Sequence, residues 1–567
     1  MVSRREFVQV AAAAATVLGG SSLAAAAARQ TITQREILRF PAVGQVTLLH
    51  FTDIHAQLVP TYFREPAVNI GVGEDFGLPP HLTGRHMLTA FGLTPDTPAA
   101  YAFSCDDFTA LARAYGKLGG IDRIATLVKA IRAERPTQTL LLDGGDSWQG
   151  SYTALRERGG DMVAVMNLLG VDAMTAHWEF TYGAARVKEL VAKLDFPFLC
   201  GNVKDATWGE RIFEGSKVFE RGGVRIGVIG QAFPYTPIAN PRWMIPDWSF
   251  GIEEDRVREQ VAALRAGKAD LVVLLSHNGF DVDRKLASRV AGIDVILSGH
   301  THDALPAIVT IGKTLLVASG SHGKFLARLD LDVKGGAVAD YRFRMIPVFS
   351  DAIAPDPDMA RLVGALRSQY EPELQTVLGR TDSLLYRRGT FNGTFDDLIC
   401  DALLEQRDAE IALSPGFRWG PTLLPGAPIR VEDLYSQTAI TYPAAYRTPM
   451  TGATLKNILE DVADNLFNPD PYFQQGGDMV RVGGLSYTID VRKPAGKRIS
   501  ALRSTRTGAT LEPAKNYVVA GWASVNQATE GPPIFDVVRA YLQRHKVVKM
   551  PARMPVHVIG ADPRGIA

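Results

Sequence analysis

The sequence predicts an α/β protein of two domains, on three observations. Short Val/Ile/Leu runs alternate with helical patterns through the first 345 residues; runs of that kind are strands buried on both faces, as in parallel sheets. At 567 residues the chain exceeds what one hydrophobic core usually supports. A proline-bearing polar stretch, Asp351 to Pro357, then separates this part from a C-terminal part of different rhythm.

Bulk composition narrows the function classes. The chain is 46% hydrophobic and 21% charged, ordinary for a globular enzyme. A net charge of +1 is too near neutral for a nucleic-acid footprint. Cys105, Cys200 and Cys400 are too few and scattered for a disulfide framework or a thiolate zinc site, although one pairing among the three stays open. Residues 1–28 begin with Ser3-Arg4-Arg5-Glu6-Phe7 and continue into an Ala-rich apolar run with small residues at Ala24 to Ala28. That pattern is similar to a twin-arginine export signal, which places the mature protein in the periplasm. Gly19-Gly20-Ser21-Ser22 breaks the run short of the roughly 18 to 20 apolar residues a membrane span needs.

The elements follow in order. Val46 to Phe51 leads into Asp53-Ile54-His55, after which residues 56–118 show little periodicity, so we expect a functional loop and a candidate wall of the substrate cleft. Ile121, Ile124, Ala125, Val128 and Ile131 share one helical face that ends at Pro136. Thr139 to Leu142 leads into Asp143-Gly144-Gly145-Asp146, and Val171 to Ala176 into His177. Leu271 to Ser276 leads into His277, and Val295 to Gly299 into His300-Thr301-His302. Residues 29–350 thus form the first domain, and 351–375 a linker with a helix over Met359 to Tyr370 that Pro372 stops. Residues 376–567 form the second domain, with helices over Asp396–Leu404 and Gly452–Asn465 and strands over Leu485–Val491 and Tyr517–Ala520.

Five strand ends that each deliver an Asp or His describe a two-metal hydrolase. Any one of them is weak, because a lone His on an apolar strand is usually a core residue. Seven together, Asp53, His55, Asp146, His177, His277, His300 and His302, are not. Ligands collect beyond the carboxyl ends of parallel strands, and Asp and His suit Zn, Mn and Fe in hydrolytic sites. Residues two apart on an extended chain face the same side, so Asp53 and His55, and His300 and His302, can each face one centre. Asp146 is the natural bridge, and two carboxylates against two divalent cations leave a net positive centre suited to an anion. A non-enzymatic metal or carrier-binding module predicts a broken ligand set, which this is not.

The pattern resembles the calcineurin-like metallophosphoesterases, in the branch of the periplasmic 5′-nucleotidases. The resemblance implies an αββα-sandwich domain followed by a smaller α+β domain of 5′-nucleotidase type. It implies one metal on Asp53, His55, Asp146 and His302, and a second on Asp146, His177, His277 and His300. The C-terminal half joins in through Asp396 to Leu403 and Thr451 to Lys456.

Departures from the nucleotidase pattern bear on substrate. Where that branch reads Gly-Asn-His-Glu-Phe-Asp, this chain reads Ala176-His177-Trp178-Glu179-Phe180-Thr181, which removes the His/Asp pair that assists phosphoester chemistry. Leu413 to Gly420 replaces a Gly-rich, Arg-bearing nucleotide segment, and the Gly-Gly-Asp-Gly segment is missing near Glu530-Gly531-Pro532-Pro533. With Asp146 to Ser151 and Ser276 to Asp281, these departures look like the SoxB family of the bacterial thiosulfate-oxidising system. That resemblance implies a dimanganese sulfate thiohydrolase, with zinc as the alternative metal, acting on a cysteine S-thiosulfonate of the carrier protein SoxYZ. The expected attack is by a metal-bridging hydroxide, with no side-chain general base. Arg418 and Trp178 are candidate substrate contacts, Phe417 to Trp419 a candidate cleft wall, and Asn202 a candidate for orienting a loop near the metals. His322 is expected not to be a ligand, and His50, His81, His86, His545 and His557 carry no assigned role. A monomer is expected. The competing activity is a periplasmic 5′-nucleotidase or cyclic-nucleotide phosphodiesterase.

Overall fold

A computed structural model describes residues 32–526, 529–551 and 553–567. The export-signal reading falls on residues 1–28, outside the described residues. Among the described residues no helix is long and apolar enough to cross a membrane, and Cys105, Cys200 and Cys400 are buried and free.

Two mixed sheets build an αββα sandwich. In the first, Val46–Phe51, Thr139–Asp143 and Ala173–Met174 run parallel, flanked by the antiparallel Phe325–Lys334 and Ala337–Pro347. In the second, Val224–Gln231, Leu271–Ser276, Val295–Ser298 and Thr314–Ala318 run parallel, with Ser216–Arg221 and Val309–Ile311 antiparallel at the two edges. The apolar runs are buried along their full length, because each is covered on both faces. Helix Glu254–Ala266 packs on Val224–Gln231 and Leu271–Ser276, and Phe280–Arg289 on Val295–Ser298 and Thr314–Ala318. Helix Ile121–Glu134 presents Ile121, Ile124, Leu127, Val128 and Ile131 to the same core, the face its periodicity predicts.

Register sets the site. Phe51 lies opposite Asp143, and Asp143 opposite Met174, so Asp53, Asp146 and His177 leave neighbouring strands at one level. Ser276 lies opposite Ser298, which does the same for His277 and His300. Both groups emerge at carboxyl ends, where the sheets stop pairing and backbone is free to turn.

Past residue 374 two further apolar cores appear. One centres on helix Thr394–Gln406, packed against helix Ile534–His545 and strand Ile411–Gly416, and takes in Tyr152 and Trp178 from the sandwich. The other gathers helix Gly452–Phe467 and strands Asp478–Gly483 and Leu485–Asp490. Strand Asn516–Trp522 joins a four-stranded sheet with Ala445–Thr451, Ile411–Gly416 and Asp478–Gly483.

Two expectations need correction. Residues 56–118 contain three short helices, Gly84–Ala90, Pro98–Phe103 and Phe108–Tyr115, that bury Met87, Tyr101, Phe108 and Leu111. Helices of six to eight residues span barely two turns, too few to display a period. The linker helix runs Pro357–Ser368 and ends before Pro372, which instead opens a second short helix, Glu371–Leu374. Proline is accommodated in a first turn, where its missing N–H has no helical partner to lose.

Candidate metal centre

Backbone conformation brings the seven side chains together in a way strand alternation does not. Asp53, His55, Asp146, His300 and His302 all have φ between 50° and 75°, the left-handed region that non-glycine residues rarely occupy. The two x-separated pairs therefore converge through tight turns, not by facing one side of an extended chain. Such strain persists where the surroundings over-determine it. Here the surroundings are hydrogen bonds: the N–H of Asp53 donates to Gly145 O and that of His55 to Asp146 O, both at 2.8 Å. His300 N–H donates to the Asp53 carboxylate.

The donors form two sets that share Asp146. Asp53, His55, Asp146 and His302 each offer an atom within 4.8 Å of the others, and so do Asp146, His177, His277 and His300. All seven are buried. His177 Nδ1 and His277 Nε2 lie 3.2 and 3.1 Å from one oxygen of Asp146; His302 Nε2 lies 3.2 Å from Asp53 Oδ1.

Electrostatics test whether cations fit. Burial, reinforced by neighbouring cationic groups, holds His300 and His302 well below the ordinary imidazole range, which favours the neutral rings that metal ligation needs. His55 Nε2 and His302 Nε2 stand 3.0 Å apart, and His177 Nε2 and His302 Nδ1 are buried with no hydrogen-bond partner among the described residues. Burial opposes charge on His277 too, but Asp146 and Asp53 outweigh it and hold that ring up to about 10. Burial likewise opposes charge on Asp146, yet His177 and His277 hold its carboxyl well below the usual range. One imidazolium thus sits where two buried carboxylates demand positive charge. Two divalent cations answer that demand better, and nitrogen and carboxylate donors without thiolate suit Mn or Zn.

A surrounding shell fixes these donors, and sequence reasoning missed most of it. Glu179 accepts backbone N–H groups of His177 and Ser147 at 2.7 Å, and of Trp148 and Asp146 at 3.2 and 3.3 Å. Asp283 accepts from the Ser276 and Ser298 hydroxyls and from the Asn278 amide. The ring of His277 meets Gly144 O through Nδ1 at 2.6 Å, which presents Nε2 to the centre. Gly150 has φ 129°, and a Cβ there would collide with His55. Of these, Glu179, Gly144, Gly150, Ser276 and Asn278 lie inside the sequence motifs without having been given a role, and Asp283 lies outside them. Asn202 holds Ala232 through both ends of its amide, next to Phe233, whose ring stacks 4.1 Å from His300. His322 belongs to neither donor set; its Nε2 accepts the Gly420 N–H at 3.0 Å and ties the sandwich to the second part.

A cavity of about 160 Å³ opens on the donors. Its walls are Trp178, Phe233, Ile238, Phe417, Arg418, Trp419 and the segment Gln475 to Gly477. Residues 56–118 contribute nothing to this lining; Asn69 to Val72 and His81 line a neighbouring cavity that shares Arg418. The wall expectation for residues 56–118 is thereby corrected: the three short helices draw that segment into the sandwich core, leaving residues 233–239 and 465–477 to close the site. Gly476 crosses close over the His300 ring, where any Cβ would overlap it, and Gln475 O meets His300 Nε2 at 3.2 Å.

Trp178 and Thr181 occupy the positions of the missing acid pair. The Trp178 ring lies 4.9 Å from Trp419 and 5.4 Å from Phe417, edge-on to both. Thr181 Oγ1 lies 2.6 Å from Thr441 Oγ1. Arg418 is held by Asp478 at 3.1 Å, Thr301 O at 3.0 Å and Gly477 O at 2.5 Å. Those bonds leave one N–H on each terminal guanidinium nitrogen unused.

Comparison with known proteins follows the same lines. The family model described as 5′-nucleotidase, C-terminal domain, matches residues 377–537. The 5′-nucleotidase of Bos taurus is 25% identical over 456 residues, 72% of this chain and 76% of that protein. The structure of a sulfate thiohydrolase SoxB from Thermus thermophilus, in complex with glycerol, superposes with a TM-score of 0.89 at 37% identity, covering 92% of this chain and 98% of that one. A 5′-nucleotidase precursor, also from Thermus thermophilus, superposes with a TM-score of 0.73 at 23% identity, covering 91% and 99%.

Proposed function

Because the chain belongs to the SoxB family, within the 5′-nucleotidase branch of the calcineurin-like metallophosphoesterases, we propose that it hydrolyses a cysteine S-thiosulfonate on the sulfur-carrier protein SoxYZ and releases sulfate. The observation that carries this reading is a full set of metal donors beside an acid pair replaced by Trp178 and Thr181. Asp53, His55, Asp146 and His302 would hold one ion, and Asp146, His177, His277 and His300 the other. When bound, such a pair activates water and neutralises charge on a tetrahedral oxyanion.

The residues of the chain account for the rest. Water adds to the sulfonate sulfur, the S–S bond breaks, and the electron pair leaves on the carrier's sulfur as a persulfide anion; the products are sulfate and two protons. A sulfur anion is a weak base, since thiols ionise near ~8.5 even unactivated, so it departs without a proton donor. Apart from the metal donors, the only ionisable side chain among the described lining residues is Arg418. Its remaining N–H groups would bind sulfonate oxygens, and a guanidinium does this without surrendering a proton. Trp178 and Trp419 narrow the approach to an extended tail.

We assign manganese as the pair of ions, loaded before folded export to the periplasm, with zinc as competitor. Metal analysis of exported protein against protein refolded in mixed metals tests this; identical metal content in both removes the loading argument. For the activity itself, thiosulfonated carrier is weighed by mass spectrometry before and after exposure to metal-loaded protein. Loss of SO₃ is expected. An unchanged carrier together with rapid dephosphorylation of AMP supports the nucleotidase reading instead.

A further inference from the structure

We infer that the same site also hydrolyses S-phosphoryl thiols, phosphate monoesters linked through sulfur, while sparing ordinary O-alkyl phosphate monoesters. The inference rests on the sulfur-leaving-group reading above and extends it to a second class of substrate.

Nothing in the cradle separates a phosphoryl from a sulfonyl group. Both are tetrahedral with three terminal oxygens, and cations held by Asp53, His55, Asp146, His177, His277, His300 and His302 would meet those oxygens, not the central atom. A phosphoryl dianion matches two divalent cations and Arg418 at least as well as a sulfonate monoanion does. Discrimination falls on the departing atom.

On that side the cavity is apolar and lacks an acid. Trp178, Phe417 and Trp419 form its wall, with Phe417 stacked 4.0 Å from Trp419. Thr181, where an acid's partner would stand, is spent on Thr441. A polarisable sulfur gains contact energy against such rings and leaves as a thiolate of pKa near ~8.5. An alkoxide leaving group resembles hydroxide, whose parent water has a pKa of about 15.7, and finds no proton. In the proposed step water adds to phosphorus, the P–S bond breaks with its pair on sulfur, and the products are hydrogen phosphate and a thiol that takes the second proton of the water.

The test uses the full-length metal-loaded protein with two matched probes, cysteamine S-phosphate and O-phosphoethanolamine. Phosphate release is followed for both, and binding of the O-ester is followed separately by calorimetry. The expected result is kcat/KM at least about a hundredfold higher for the S-ester, with the O-ester bound but not turned over, so that the difference lies in kcat. Equal turnover of both probes, or no turnover of the S-ester, overturns the inference. Thiosulfonated carrier run in parallel separates the two claims. Carrier cleaved with the S-ester untouched defeats this inference alone; S-ester cleaved with the carrier untouched defeats the carrier assignment alone.

Discussion

Asp146 is the residue both donor sets share, and its environment makes a sharp demand. It is buried, carries its charge against two imidazoles, and accepts the Trp178 N–H at 2.7 Å. Around it, Glu179 gathers four backbone N–H groups from both ligand loops. Outer partners of this kind commonly govern 10- to 100-fold in metal affinity. Glu179→Gln is therefore expected to weaken metal binding by about that factor, read by competition against a chromogenic chelator, while the protein stays folded. Trp178→His combined with Thr181→Asp restores an acid pair. It is expected to raise AMP hydrolysis by about 10²-fold or more and to leave thiosulfonate cleavage within about threefold; a many-fold gain on thiosulfonate removes the argument from the leaving group.

Strands and turns explain what the sequence made legible. Asp53, Asp146, His177, His277 and His300 stood out because each ends an apolar run, and burial of parallel strands on both faces forces that run to be uninterrupted. The turns that aim them were invisible, since a left-handed Asp or His is spelled like any other. Asp283, Phe233 and Gln475 were also missed. Phe233 and Gln475 act at long range: Gln475 meets a ring 175 residues away, and no local pattern records that; Asp283 binds nearby hydroxyls and an amide across a helix start and a strand end. The insertion 56–118 shows one more such contact. His81 is held between Asn69 at 3.1 Å and Asp281 at 2.7 Å. Burial opposes charge on His81, but Asp281 and its neighbours outweigh it and raise the ring above its ordinary value; burial on Asp281 is likewise outweighed by His81 and Arg284, which lower it. The pair thus stabilises the fold where His81 is protonated and Asp281 ionised. Its contribution is full below the unfolded imidazole value near ~6.5 and above the unfolded carboxyl value near ~3.9, and it fades as pH rises through the elevated imidazole value or falls through the depressed carboxyl one. Urea unfolding from pH 5 to 9 checks this: the stability gap between wild type and Asp281→Asn is expected to shrink toward high pH.

At the scale of the molecule, the centre is closed by two separately cored parts. Gly420 reaches His322, Gln475 reaches His300, and Gln149 reaches Ala439 O at 2.6 Å. Length and the proline-bearing stretch led the sequence reading to two domains; in the structure the first core runs to Val363 and also takes in Leu424, and which surfaces meet had no signature in the sequence. Ligand binding to the native state alone stabilises by RT ln(1 + [L]/Kd), about 2.7 kcal/mol per site at a hundredfold excess over Kd. Chelation is therefore expected to lower the melting temperature by several degrees and to do so cooperatively for both parts, read by calorimetry with and without chelator. Separate transitions, only one of them metal-sensitive, contradict a centre clasped by both.

The central claim is a pair of ions held by seven side chains around one shared carboxylate, and counting the ions tests it most directly. Native mass spectrometry of the metal-loaded protein is expected to show two divalent ions per chain, and Asp146→Asn none. A wild type holding one ion or fewer, or an Asp146→Asn protein that keeps both, contradicts it.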